Sequence, residues 1–177
     1  HEGLYYPLGL GPHGLVSEAL LLHMKSPAIH GALNMIYRYG ITEDEAYAQK
    51  VYPYLRGVAD FWEKDLVCRD GVYHVVGDGM HERTDGNIRD NGVPEDPVNT
   101  LGYLKTFFTW MPRISEALDL DEKKREKWLE IAENLAPYPK GTIREIQENP
   151  TLWKEVDVKL EDLLPEEMLD KEIYYDE

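Results

Sequence analysis

The sequence predicts a mainly α protein built of antiparallel helical hairpins, with one short β-hairpin and an irregular, acidic C-terminal segment. Three observations carry this. Apolar residues recur at three- and four-residue spacing through successive stretches, which is the mark of helices with one buried face. The Asp70-Gly71 dipeptide sits among β-branched and aromatic residues, the signature of a tight β-turn. The last part of the chain, 141 to 177, holds 12 acidic and 4 basic residues and only scattered apolar anchors. With 177 residues, 42% of them hydrophobic and 11% aromatic, the chain is large enough for one real core. We read 1 to 140 as the helical body and 141 to 177 as a weakly determined extension of the same domain.

Each element has a local reason. The first fourteen residues, rich in Gly and Pro, read as an irregular lead-in, and an apolar run from Ser17 to Lys25 as a helical stretch. Ser26-Pro27 resets the chain, because a residue before proline is pushed out of the helical region. Ala28, Ala32, Met35, Ile36 and Tyr39 then form the buried stripe of a helix over 28 to 39, with Gly40 as its expected left-handed stop. Thr42-Glu43-Asp44-Glu45 has the form of a capping box opening the next helix. Its stripe is Ala46, Val51, Tyr54, Leu55, Val58, Phe61, Trp62 and Leu66, with Pro53 inside it. A connection this short forces the two helices into an antiparallel pair. A β-hairpin follows between Val67 and Val76. Asp96 is expected to cap a third helix and Pro97 to occupy its first position. Val98, Leu101, Leu104, Phe107, Phe108, Met111, Ile114 and Leu118 form its apolar side, and Pro112 is expected to bend it. A break at 119 to 121 leads to a fourth helix near 121 to 136, carrying Trp128, Leu129, Ile131, Ala132 and Leu135. In the extension, Asn149-Pro150 and Pro165 are expected to open short helices, anchored by Trp153, Leu160, Leu163, Leu164 and Met168.

Composition excludes several classes of function. A formal net charge of −15 sets the chain against polyanions, so nucleic acid is not an expected partner. Cys68 is the only cysteine, which removes intrachain disulfides and thiolate zinc sites. The longest apolar run, Ala19 to Leu22, is far too short to span a bilayer, and no signal-like segment opens the chain, so the expectation is a soluble protein with no membrane partner. The absence of an initiator Met suggests a mature product or a piece of a longer chain.

Chemistry concentrates in one stretch, Gly77 to Asn91, where carboxylates, an imidazole and amides crowd a Gly-rich loop between the β-hairpin and the third helix. Loops of this make-up, held by strong hydrophobic pattern on both sides, usually serve a site. Asp96 and Glu95 have a structural role available as helix caps, whereas Glu82 has none in the local pattern. Asp78, Arg83 and Asp85 stand close enough in sequence to move its pKa. His81 and His74 lack the i, i+4 spacing of a helical metal pair, and Asp85, Asn87 and Asp90 resemble a calcium loop without its bidentate Glu, so neither a metal nor another cofactor is expected. Phosphate-loop, Ser-nucleophile and Cys-His signatures are absent from the sequence.

Val51-Tyr52-Pro53-Tyr54-Leu55-Arg56-Gly57-Val58-Ala59-Asp60-Phe61-Trp62, the acidic loop, Asp96-Pro97 and the stretch from Trp128 to Pro139, ending Leu135-Ala136-Pro137-Tyr138, together resemble the (α/α)6 toroid glycoside hydrolases. The likeness is greatest to family 95, the fucosidase-like enzymes, and more distant to family 65, whose His-Glu-x-x-Asp-Asn-Asn run is similar to His81-Glu82-x-x-Asp85-x-Asn87. It covers roughly 28 to 140. What it implies is a segment of a toroid in which the loop after the hairpin brings a general acid to the mouth of the barrel. In the family 95 register that acid is Glu82, preceded by Met80-His81 where the family has Ser-Pro. In the family 65 register the acid falls on Gly79, and Glu82 would bind sugar.

The function expected from the resemblance is part of an inverting glycoside hydrolase acting on oligo- or polysaccharide. Glu82 is the acid, and His81, Arg83, Asp85 and Asn87 hold the substrate. Two to three of six helical pairs cannot close a toroid, so the remainder of a parent chain or an oligomer partner would supply the base, and the chain alone is expected to be inactive. The alternative is a non-catalytic helical-hairpin module that binds carbohydrate or a partner protein.

Overall fold

A helix does start at Pro27, but Ser26 before it keeps helical dihedrals (φ −73°, ψ −15°) rather than being pushed out of that region. In the computed structural model, which describes residues 3–4, 24–78, 95–148 and 162–174, helix α1 spans Pro27–Thr42 with the proline in its first turn. Ala28, Ile29, Ala32, Leu33 and Ile36 are buried along one face. The helix does not stop at Gly40. It continues to Thr42, and Glu43, at φ 51°, takes the left-handed turn while its amide donates to the Tyr39 carbonyl at 2.7 Å. Gly40 has a different reason to be glycine: a Cβ there would lie 2.9 Å from the outer edge of the Trp110 ring. Of the expected helical stretch from Ser17 to Lys25, residues 17–23 lie outside the described residues, and Met24 and Lys25 are not helical.

The extra turn of α1 displaces the next start signal. Thr42 now closes α1, its hydroxyl donating to the Arg38 carbonyl at 2.8 Å, so the expected capping box does not form. Asp44 caps instead, accepting from the Tyr47 amide at 3.0 Å, and α2 spans Glu45–Asp65. Its buried face is Ala48, Tyr52, Leu55, Val58, Ala59, Phe61 and Trp62. Ala46, expected inside, is exposed, and Val51 and Tyr54 flank the stripe. Pro53 is tolerated because it lies on the exposed face, where water can meet the carbonyl left without a donor. Two residues, Glu43 and Asp44, join the helices, and α1 packs on α2.

Strands β1 (Val67–Arg69) and β2 (Val72–His74) form the expected antiparallel hairpin, with Cys68 opposite Tyr73. Asp70 and Gly71 both have positive φ, 51° and 84°, the backbone of a type I′ turn that suits the right-handed strand twist. Helix α3 (Val98–Ala117) and helix α4 (Arg125–Glu133) make the second helical pair, and α3 packs against both α4 and α1. The expected apolar side of α3 is buried from Leu101 to Ile114, with Val98 and Leu118 at its margins. The fourth helix begins later than expected. Asp119 and Asp121 adopt positive φ, a 3₁₀ turn covers Glu122–Lys124, and only then does α4 start. Trp128, Ile131 and Ala132 face the core, while Leu129 is exposed.

Polar contacts hold α2 to this second pair. Asp121 accepts from Tyr52 Oη at 2.9 Å and from Arg56 Nε at 3.0 Å, and Glu63 takes the Trp128 indole at 2.7 Å and Lys124 Nζ at 2.8 Å. Burial alone would raise the Asp60 carboxyl, but Arg56 and then Lys124 outweigh it and hold it below its ordinary value. Hydrophobic and ionic layers therefore meet along α2. Trp62, Phe107, Phe108 and Trp128, all fully buried, fill the middle.

The described parts of the extension, 141–148 and 162–174, carry regular structure that its composition does not announce. Strand β3 (Lys140–Thr142) pairs antiparallel with β4 (Glu172–Tyr174), enclosing short helices α5 (Ile143–Glu148) and α6 (Glu166–Leu169). Lys140 pairs with Glu172 and Arg144 with Asp170, which ties the two ends of this segment together. Pro165 precedes α6 as expected, but Leu169 is its buried anchor, whereas Leu163 is exposed. Asn149-Pro150, Trp153 and Leu160 lie outside the described residues. No helix among the described residues is long and apolar enough to cross a membrane.

Candidate functional site

The stretch expected to form a polar loop leaves the described residues after Asp78 and returns to them at Glu95, and the two flanking stems are described. β2 delivers the outgoing stem, and the turn before α3 receives the return. Val76 and Glu95 form an antiparallel bridge, and the Asp96 amide donates to the Val75 carbonyl at 2.8 Å. The stems are side by side.

Asp96 locks them. Its φ of 53° turns the carboxylate away from α3 and back onto β2, where Oδ1 accepts from the Val75 amide at 2.8 Å and Oδ2 meets His74 Nδ1 at 2.7 Å. The expected capping role is therefore corrected: α3 begins at Val98, Pro97 holds the cap position, and no side chain caps the helix. Glu95 is also no cap. It receives both ends of the Arg69 guanidinium, at 2.8 and 3.0 Å, and this pairing with Arg69 holds its carboxyl below the usual range despite a small opposing effect of desolvation.

Asp78 anchors the outgoing stem. It is fully buried, accepting from the Lys25 amide at 2.5 Å and from Thr100 Oγ1 at 2.6 Å. Burial pushes its pKa above the ordinary carboxylate value, although the bonds from Thr100, Lys25 and Ser26 oppose that. Lys25 completes the clamp, its ammonium bound to Asp65 at 2.8 Å and to the Val76 carbonyl at 2.9 Å. Three segments distant in sequence thus meet at one buried carboxylate.

Sequence reasoning did not find the fastening of the two stems. Asp78 was visible only as a neighbour of Glu82, because its partner Thr100 stands on α3, and the Asp-Pro pair before a helix imitated a cap. His74, Glu95 and Asp96 place one potential metal-binding atom each within 4.8 Å of one another. Both carboxylates are already engaged by protein donors, and the group acts as a fastening. Glu82, His81, Arg83, Asp85 and Asn87, the residues expected to carry chemistry, lie outside the described residues.

Comparison with protein-family models, with curated proteins and with solved structures returned no match. Functional assignment therefore rests on the chain's own residues.

Proposed function

We propose that this chain carries the acid-bearing part of a glycoside hydrolase of inverting mechanism. The single observation that supports the reading is the loop stem: an acidic loop with no core-forming sequence is fastened at both ends by a buried Asp78 and by the Asp96–His74–Val75 lock. A fold commits buried polar groups to a loop when the loop must present its side chains from a fixed base. The resemblance to the toroid glycosidases supplies the chemistry. Glu82 protonates the departing glycosidic oxygen, a carboxylate outside this segment activates water on the opposite face, and His81, Arg83, Asp85 and Asn87 hold the sugar.

The test is turnover of a glycoside panel by the natural-length protein and its Glu82→Gln variant. Loss of a general acid lowers kcat by roughly 10²- to 10⁴-fold. The loss is larger on alkyl glycosides than on nitrophenyl glycosides, whose leaving group needs little protonation. Unchanged turnover on both removes Glu82 as the acid, and sugar binding without hydrolysis of any substrate replaces the enzyme by a carbohydrate-binding module.

A further inference from the structure

Beside the loop stem lies a cavity of about 400 Å³, lined among others by Leu101, Lys105, Ala136, Tyr138, Lys140 and Tyr174. Its size falls within the range of about 300–1,000 Å³ usual for small-molecule sites. It is built from the same pieces as the stem. Leu101 follows Thr100, the partner of Asp78, and Ala136 donates its amide to the carbonyl of Tyr73, the neighbour of His74.

The lining is unusual for so acidic a chain. Two tyrosines meet edge to face, ring centroids 5.9 Å apart and planes at 89°, and both are exposed rather than spent on the core, at 38% for Tyr138 and 60% for Tyr174. The Tyr138 hydroxyl reaches across to α3 at Gly102, where a side chain would begin only 4.0 Å from it. Of the two ammonium groups, Lys140 is neutralised by Glu172 at 2.9 Å and lies over the Tyr174 ring. Lys105 forms no ion pair among the described residues. This ammonium faces a cavity with aromatic and aliphatic walls.

We infer that this cavity binds a sugar ring bearing one carboxylate, a uronic acid residue of an oligosaccharide. The inference rests on the glycosidase reading for its choice of a sugar. The lining itself asks for a monoanion with one apolar face. A single flexible ammonium matches a carboxylate, whereas a phosphate draws several cations or a fan of backbone amides, and the surrounding negative field repels a polyanion. Tyrosine rings offer a flat face to the C–H side of a pyranose and hydroxyls to its rim.

Calorimetric titration of the natural-length protein with methyl β-glucuronide, methyl β-glucoside and benzoate tests this. The glucuronide is expected to bind, the glucoside at least about tenfold more weakly, and Lys105→Ala and Tyr138→Ala each to weaken the glucuronide about tenfold. Lys105 is exposed, so its variant folds, and a circular dichroism melt verifies that for both. No glucuronide binding, equal binding of the glucoside, tighter binding of benzoate, or unchanged affinity in Lys105→Ala overturns the inference. Hydrolysis of neutral glycosides is read in the same preparation. Hydrolysis without glucuronide binding sinks this inference alone, whereas glucuronide binding without hydrolysis upholds it and sinks the enzyme reading.

Discussion

Asp78 is the residue that ties the outgoing stem to Lys25 and to α3. Its two oxygens satisfy a backbone amide at Lys25 and a hydroxyl at Thr100, and Asp78 and Thr100 are themselves fully buried. Asp78→Ala strands both donors and is expected to cost about 2–4 kcal/mol in chemical denaturation. Asp78→Asn keeps an acceptor for Lys25 and gives Thr100 a donor its hydroxyl can accept, so it costs much less. The pH dependence distinguishes the two states of the carboxyl. Its folded pKa is raised by burial, so the unfolded chain loses the proton first and stability falls as pH rises from the ordinary value, 3.8, through the folded one. Asp78→Asn abolishes that fall; a wild-type slope retained in the variant shows that another group causes it.

At the scale of the element, Gly40 shows how one residue type serves two ends. Glycine at the close of an apolar stripe reads as a helix stop, yet here it makes room for Trp110 inside α1. Gly40→Leu is expected to destabilise the protein by about 1–3 kcal/mol through overpacking. In a Trp110→Ala background, Gly40→Ala instead stabilises it by up to about 1 kcal/mol, because helix propensity then acts without the clash. Equal effects of Gly40→Ala in both backgrounds, measured by thermal melts, exclude contact with Trp110 as the reason. Helix α2 offers a second case. Glu63 holds the Trp128 indole and Lys124 at once, so Glu63→Ala leaves a buried indole N–H unpaired at a cost of about 1–3 kcal/mol. Glu63→Gln keeps an acceptor for the indole and costs less. If both variants melt together, the indole bond contributes nothing measurable to the docking of α4 on α2.

Over the whole molecule, periodicity by itself determined the mainly α class, the two helical pairs, the β-hairpin and most of the core. These follow from local steric rules and from the burial of a stripe, and both are written in neighbouring residues: the Asp70-Gly71 turn needs two positive φ values, and the run from Leu101 to Ile114 hides one face of α3. The polar stretch from 79 to 94, read as a loop because it lacks a stripe, lies outside the described residues. Only the tertiary structure decided where polar side chains spend their bonds. Asp96 and Glu95 imitate caps in sequence, but a carboxylate goes to the best donors within reach, and the hairpin brings His74, the Val75 amide and Arg69 closer than the helix end does. Thr42 lost its capping role because α1 ran on past Gly40 and took the Thr42 hydroxyl to the Arg38 carbonyl. The acidic extension formed a β3–β4 pair that no local pattern announces, because strand partners thirty residues apart are chosen by register and charge rather than by neighbours. Hydrophobic stripes are therefore read from the chain itself, while hydrogen bonds across the fold are settled only when it closes.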